Sequence, residues 1–187
     1  MPESAPPPAE LAGLSLTEIA QAAAERRLPP VEQWNPPHCG DSGMRIARDG
    51  TWFHEGAPIR RPAMVRLFAS LLRREAEGRY VLVTPVEKLD IAVEDAPFVA
   101  VEARSEGQGR ERRIAFRLNT DEPMVAGPNH RLHLTGGRPY LTVRAGLEAA
   151  VARPVYYELA EIAIEEGADP PGLWSDGCFF PLGAAEA

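Results

Sequence analysis

Apolar residues recur at helical spacing in two stretches of this chain, from Pro62 to about Glu75 and from Val155 to Glu166. In both stretches the apolar side chains occupy most of the circumference and leave only a narrow polar strip. A surface helix needs only about a third of its face to be apolar. We therefore expect each helix to be covered on more than one side, which in a chain of 187 residues requires a sheet that curls around it.

Shorter apolar or alternating stretches, bounded by turn residues, predict the strands of such sheets. They lie at 44–48, 51–54, 57–59, 79–83, 88–93, 98–104, 113–118, 132–134, 140–143, 147–151 and 178–180. The Asp49-Gly50 pair between the first two predicts a tight hairpin turn, because these residue types accept the positive φ that such a turn requires.

The predicted elements divide the chain into three parts. Residues 1–40 hold an N-terminal tail, a helix over 16–27 that opens with a capping-box pattern at Ser15 and Glu18, and a proline-rich loop. Residues 41–120 form a first α+β unit, and residues 121–187 form a second unit packed closely on the first. The predicted fold class is α+β, with two repeated units, each a curved antiparallel sheet wrapped around one apolar helix, plus the N-terminal helix.

An internal similarity supports the two-unit organisation. The pair Arg61-Pro62 recurs as Arg153-Pro154, 92 residues later, and the same shift pairs Leu67 with Leu159. We infer a duplication in which each unit is built on one helix. A chance resemblance over so few identities is the alternative.

Composition and charge exclude several function classes. The chain is 44% hydrophobic and 25% charged, as in ordinary globular proteins, and its net charge of -7 argues against an extended nucleic-acid surface. No stretch approaches the roughly 18 apolar residues of a membrane span, and the first residues lack the pattern of a secretory signal. Cys39 and Cys178 lie far apart and are expected to be free thiols. We expect a cytoplasmic protein without nucleic-acid or membrane partners.

No motif in the chain compels a catalytic chemistry. The histidines, at positions 38, 54, 130 and 133, have no cysteine or carboxylate at metal-ligand spacing. Ser175 lies outside any nucleophile elbow, and no glycine-rich phosphate loop precedes a helix. We therefore expect no metal, no cofactor and no catalytic residues.

Binding sites are better supported by the residues. Arg60 and Arg61 precede the first helix, whose amino end attracts anions, and Arg153 precedes the second; a purely structural role for these arginines is the alternative. The turn over 84–88 is the best candidate surface, with aromatic residues expected nearby if each sheet closes around its helix, although aromatic rings suit a core equally well. The candidate ligand-binding residues are Trp52, His54, Arg61, Thr84, Glu87, Arg153 and Trp174.

Several motifs together resemble the bacterial DUF1285 family, a family of unknown function. They extend over nearly all of residues 34–183. The matching residues are Asp49, Gly50, Trp52, His54, Gly56, Pro58, Ile59, Arg61, Leu67, Phe68, Tyr80, Leu82, Val83, Thr84, Pro85, Glu87, Ile91, Val93, Glu94, Asp95, Ala96, Pro97, Phe98, Gly146, Leu147, Glu148, Ala149, Arg153, Tyr157, Leu159, Trp174, Ser175 and Gly177. The resemblance implies an α+β fold of two repeated units and a suggested signalling or regulatory role, but no established activity.

Three functions remain open at this point. We expect a non-catalytic binding or regulatory module that recognises a protein partner or a small ligand. The alternative is an enzyme acting on a small acidic metabolite, with Arg61 or Arg153 holding the anion and His54 or Glu87 acting as acid or base. A third interpretation, a structural subunit with an uncovered strand edge, predicts assembly into homo-oligomers.

Overall fold

Two similar curved six-stranded sheets dominate the computed structural model, which describes Ser15 and residues 28–183. The predicted helix over 16–27 lies outside the described residues. The first sheet has the order β3-β2-β1-β6-β5-β4, and helix α1 (Pro62–Ser70) connects β3 to β4. Its strands are β1 (His38–Ile46), β2 (Trp52–His54), β3 (Ala57–Pro58), β4 (Leu72–Arg74), β5 (Tyr80–Val83) and β6 (Lys88–Val93).

The second sheet has the order β10-β11-β12-β7-β8-β9 and is followed by helix α2 (Arg153–Glu166). Its strands are β7 (Phe98–Glu106), β8 (Arg113–Leu118), β9 (Pro123–Val125), β10 (Leu132–Thr135), β11 (Arg138–Arg144) and β12 (Leu147–Val151). A hairpin of β13 (Gly172–Ser175) and β14 (Cys178–Pro181) completes the described chain, and single 3₁₀ turns occupy Val31–Gln33 and Gly109–Glu111.

Both sheets are built in the same way, from two three-stranded meanders. In each sheet the first and last strands lie side by side and run parallel, with Ile46 opposite Val93 in the first sheet and Ala149 opposite Phe98 in the second. The prediction of an α+β fold with repeated units is therefore confirmed. The prediction of purely antiparallel sheets is wrong at their centres, because the second meander returns its last strand beside the first strand in the same direction.

The two helices occupy different places in the two units. Helix α1 lies between the two meanders of the first sheet, whereas α2 follows the last strand of the second. The recurrence of Arg61-Pro62 as Arg153-Pro154 therefore does not reflect the repeat of the sheets. Proline is favoured in the first turn of any helix, so both pairs mark helix starts.

The prediction that sheets enclose both helices is also wrong. In α1, Leu67 is 58% exposed, and in α2, Ile164 is 76% exposed. Helix α1 ends at Ser70 because the next residues pair with β5, with Leu72 opposite Leu82. The apolar residues after Ser70 therefore belong to a strand, and each helix buries a single face.

One hydrophobic core joins the two units, with buried residues from both sheets and both helices. The sheets divide the chain between Val93 and Phe98, and the predicted division at 120/121 falls between adjacent strands of the second sheet. Polar contacts add to the junction: Arg144 donates hydrogen bonds to the carboxylate of buried Glu122 and to the carbonyl oxygen of Ala69 in α1. These contacts hold α1 against the second sheet.

Candidate functional site

A cleft of about 320 Å³ lies where the two units meet. We call it the inter-unit cleft. Three segments form it: the β1–β2 turn, the entry to α1, and the turn after β8. Its lining residues are Asp49, Gly50, Thr51, Trp52, Ile59, Arg60, Pro62, Val65, Arg66, Asn119 and Thr120.

The β1–β2 hairpin forms one wall, as the Asp49-Gly50 signal predicts. Ile46 lies opposite Trp52, and Gly50 has a φ of 88°, which suits glycine. The carboxylate of Asp49 accepts a hydrogen bond of 2.9 Å from the amide of Thr51, and this bond is the main cause that lowers the pKa of Asp49. The turn is therefore internally satisfied and carries an ionised carboxylate.

Asn119 fastens this hairpin to the second unit. Its side-chain amide donates to the carbonyl oxygen of Gly50 at 3.3 Å and accepts from the amide of Val99 at 3.0 Å. The approach is close, since a Cβ on Gly50 would lie 2.6 Å from Nδ2 of Asn119. Gly50 is thus required both for the turn and for the contact between the units.

Two buried polar atoms of the lining residues have no partner. Five side-chain atoms in the described part of the chain are buried without a hydrogen bond. Three of them belong to Asp90, Asp95 and Arg113, which form ion pairs. The other two are Nε1 of Trp52 and Oγ1 of Thr120, in residues that are 1% and 2% exposed. Both residues line the inter-unit cleft.

An unpaired buried N–H or O–H is costly, on the order of 1–3 kcal/mol. Trp52 is otherwise well packed, with its ring stacked at 6.4 Å from that of Phe68. Both atoms belong to residues that line one cleft, which makes this cleft the candidate place for a group that completes their hydrogen bonding.

Arginine side chains carry most of the charge around the cleft. Arg66 contacts Asp121 at 3.2 Å, and Asp121 also binds Arg117 at 3.1 Å. Arg60 is exposed and forms no ion pair or hydrogen bond with the described residues. Together with Asp49, the lining carries two guanidinium groups and one carboxylate.

A second cavity, of about 540 Å³, lies between β10 and β14 and includes Phe179 and Phe180. Among the described residues, none of the buried unpaired atoms belongs to its lining. Its histidine, His133, already pairs with Glu148 at 3.0 Å. The inter-unit cleft is therefore the better candidate.

The structure places only one of the predicted site residues, Trp52, in the cleft. Thr84 and Glu87 form a turn at the other end of the first sheet, where the hydroxyl of Thr84 accepts from the amide of Glu87. Lys88, the residue after this turn, lies opposite His38, whereas Trp52 lies opposite Ile46. Ile46 also lies opposite Val93, five residues after Lys88 on β6, so the two places are separated by roughly 17 Å. The expectation that Trp52 lies near the 84–88 turn is wrong.

The remaining candidates are also dispersed. Trp174 lies on β13, where the guanidinium carbon of Arg110 is 4.8 Å from the centroid of its ring. The next residue, Ser175, contacts the start of β8, so Trp174 lies on the order of 15 Å from the turn after β8. His54 is exposed at the end of β2, and Arg61 is the N-cap residue of α1; neither lines the cleft. Arg153 is exposed at the start of α2. The candidate residues were expected to lie together on the assumption that each sheet closes around its helix, and the sheets do not close in this way.

Sequence reasoning missed Asn119 and Thr120. They occupy a tight turn in which the amide of Asp121 donates to the carbonyl oxygen of Leu118, and Asp121 has a φ of 65°. An Asn-Thr-Asp run after a strand is a turn signal. It identifies the turn, but not the cleft that the turn borders.

Three further features of the described residues concern metal binding, membrane spans and free thiols. Within the described ranges, no group of three or more His, Cys, Asp or Glu side chains could hold a metal ion. In the same part of the chain, no helix combines the length and apolar character needed to cross a membrane. Cys39 is an exposed free thiol, and Cys178 a half-buried one.

Comparison with known proteins identifies relatives of this chain. The chain is similar to a DUF1285 family protein from Silicibacter pomeroyi DSS-3, with 49% identity and a TM-score of 0.76 over 86% of this chain and 92% of that one. It is also similar to a DUF1285 family protein from Shewanella baltica OS155, with 26% identity and a TM-score of 0.52 over 64% of this chain and 91% of that one. Among curated proteins, none matches.

Two family models cover almost all of the described residues. The N-terminal domain of DUF1285, a domain of unknown function, matches residues 29–96. The C-terminal domain of DUF1285, a protein of unknown function, matches residues 97–182. The boundary between the models coincides with the passage from the first sheet to the second. The chain therefore belongs to the DUF1285 family.

Proposed function

We propose that this protein is a non-catalytic binding module that takes a small ligand in the inter-unit cleft. The observation that carries the proposal is the pair of unpartnered buried atoms, Nε1 of Trp52 and Oγ1 of Thr120, in the lining of one cleft. A ligand with complementary groups would remove the cost of leaving both atoms unpaired.

The position and size of the cleft support the same proposal. Ligand sites commonly lie between structural units, and a volume of about 320 Å³ suits a small metabolite. Residues of both units line the cleft, so a bound ligand would contact both. This supports a regulatory role, in which the ligand changes how firmly the units hold together. A protein partner and a cytoplasmic location remain proposals of the same kind.

Catalysis has weaker support. The proposed acid or base residues, His54 and Glu87, lie outside the cleft on different parts of the first sheet. An acid or base must come within hydrogen-bond reach of the reacting group. Glu87 lies at the other end of the first sheet from Trp52, and His54 does not line the cleft, so binding is favoured over turnover.

The test is to fill the cleft and measure retention of small molecules. Val65 is half-buried in the lining, so Val65→Phe places a larger side chain there. The full chain is equilibrated by dialysis against a mixture of small metabolites, and the retained compounds are identified by mass spectrometry. We expect one or more compounds to be retained by the wild type and lost from Val65→Phe.

The matched control is Val86→Phe, at a position that is 78% exposed in the 84–88 turn. It makes the same change of side chain outside the cleft, at the surface that sequence analysis favoured. Retention that is lost in Val86→Phe but kept in Val65→Phe would move the site to that turn. Retention of no compound by the folded wild-type chain would refute the small-ligand proposal.

A further inference from the structure

We infer that the inter-unit cleft recognises an oxyanion, a carboxylate or phosphate group of a small organic ligand. The inference rests on the proposed function and adds the chemical class of the ligand. It follows from which hydrogen-bonding groups of the cleft are already engaged and which are open.

The neutral acceptors of the cleft are engaged. One oxygen of the Asp49 carboxylate accepts from the amide of Thr51 at 2.9 Å. The carbonyl oxygen of Gly50 receives the amide of Asn119, whose own oxygen receives the amide of Val99. The neutral oxygens of Gly50 and Asn119 are therefore occupied, whereas the exposed carboxylate of Asp49 keeps room for a further donor.

The lining groups that lack any hydrogen-bond partner can all donate. The indole N–H of Trp52 can only donate, and so can the guanidinium of Arg60, which has no hydrogen-bonded partner in the part of the chain that the structure describes. The hydroxyl of Thr120 can donate or accept. Donors of this kind are matched by a ligand group that brings several acceptor oxygens, as carboxylates and phosphates do.

The charge of the site agrees with this chemistry. Of the two guanidinium groups in the lining, Arg66 is paired with Asp121 at 3.2 Å, and Arg60 has no ion-pair partner among the described residues. The first turn of α1 borders the cleft through Pro62 and Val65 and contains no acidic residue. Its N-cap residue makes no side-chain hydrogen bond, so the positive end of the helix dipole is uncompensated there.

The rest of the lining explains why the ligand is an organic molecule rather than a bare ion. Ile59 and Val65 are half-buried apolar residues of the same lining as Trp52. They offer an apolar surface to the part of the ligand that does not carry the charge. Benzoate has both features, and benzamide has the same shape without the charge.

The experiment follows the three indole N–H resonances of the ¹⁵N-labelled full chain, one for each tryptophan. They are assigned with Trp34→Phe and Trp174→Phe, and the chain is titrated separately with benzoate, benzamide and inorganic phosphate. We expect benzoate to shift the Trp52 resonance and leave the other two in place. Arg60→Gln is expected to weaken this binding about tenfold, as loss of a charge-assisted hydrogen bond does.

Arg153→Gln is the matched control, because Arg153 is exposed at the start of the other helix and outside the cleft. It should leave the titration unchanged. Phosphate alone shifting Trp52 would assign the oxyanion as phosphate, and benzoate alone would assign it as carboxylate. Equal binding of benzamide and benzoate at Trp52 would overturn the inference and leave the proposed function standing. Failure of both anions to shift Trp52 would overturn it as well.

Discussion

Two buried hydroxyl groups of this protein should respond to removal in opposite ways. Thr120 is 2% exposed and its Oγ1 has no partner. Ser175 is fully buried and its Oγ has two: it accepts from the amide of Ile114 at 2.9 Å and donates to the carbonyl oxygen of Ala126 at 2.7 Å. The informative pair of variants is Thr120→Val and Ser175→Ala.

The magnitudes follow from these contacts. Valine keeps the β-branched shape of Thr120 and removes a hydroxyl whose unmet hydrogen bonding costs on the order of 1–3 kcal/mol. A valine side chain does not fill the space of threonine perfectly, so we expect Thr120→Val to raise the free energy of unfolding by only about 1 kcal/mol. Ser175→Ala leaves a buried N–H and a buried C=O without partners, so it should lower that free energy by about 2–4 kcal/mol.

Urea unfolding of both variants and the wild type, followed by fluorescence, measures these changes. A gain of about 1 kcal/mol corresponds to a rise in Tm of roughly 2–4 °C for a chain of this size. If Thr120→Val instead lowers the free energy of unfolding by about 1 kcal/mol or more, its hydroxyl is satisfied in the ligand-free protein. The main observation behind the proposed ligand site would then be lost.

Three further predictions test the junction and the surroundings of the cleft. Gly50→Ala should lower the free energy of unfolding by about 1–3 kcal/mol, because alanine is strained at this φ and its Cβ clashes with Asn119. In urea unfolding, the double variant Gly50→Ala/Asn119→Ala should lose less than the sum of the two single losses. Glu166→Ala should cost on the order of 3 kcal/mol in the same assay, because it leaves Arg112 without the partner that lies 2.9 Å away in a mostly buried pair; a loss below about 0.5 kcal/mol would contradict this. Burial, and then the hydrogen bond to a carboxylate, raise the pKa of Tyr140 above 10.0, so the folded state retains its proton longer and the free energy of unfolding should fall as the pH rises above 10; Tyr140→Phe should show a smaller fall across that range.

Local sequence patterns were sufficient for much of the secondary structure. The predicted strands at 88–93, 113–118 and 147–151 agree with β6, β8 and β12 at both ends. Each is a short apolar or alternating run between turn residues, and the interactions that bound it are local. The end of α1 was not predictable in the same way. Leu72 continues the helical spacing of apolar residues along the sequence, and its pairing with Leu82 is a contact that only the folded chain shows.

The site depended on contacts between distant residues. Trp52 could be selected as an aromatic residue beside a turn signal, but Thr120 is 68 positions later and has no motif of its own. That its hydroxyl lacks a partner is a property of the packed molecule, since hydrogen-bond satisfaction depends on every neighbour in space.

The α+β class, most of the strands and the resemblance to the family could be read from the amino-acid sequence. Two repeated units were predicted as well, although the recurrence of Arg-Pro that suggested them marks helix starts and not the repeated sheets. The parallel pair at the centre of each sheet, the single buried face of each helix and the cleft between the units became known from the folded chain. The physical reason is that the spacing of apolar residues indicates which side chains of a segment are buried. Which other segment buries them depends on strand pairing and packing between residues that are far apart in the sequence.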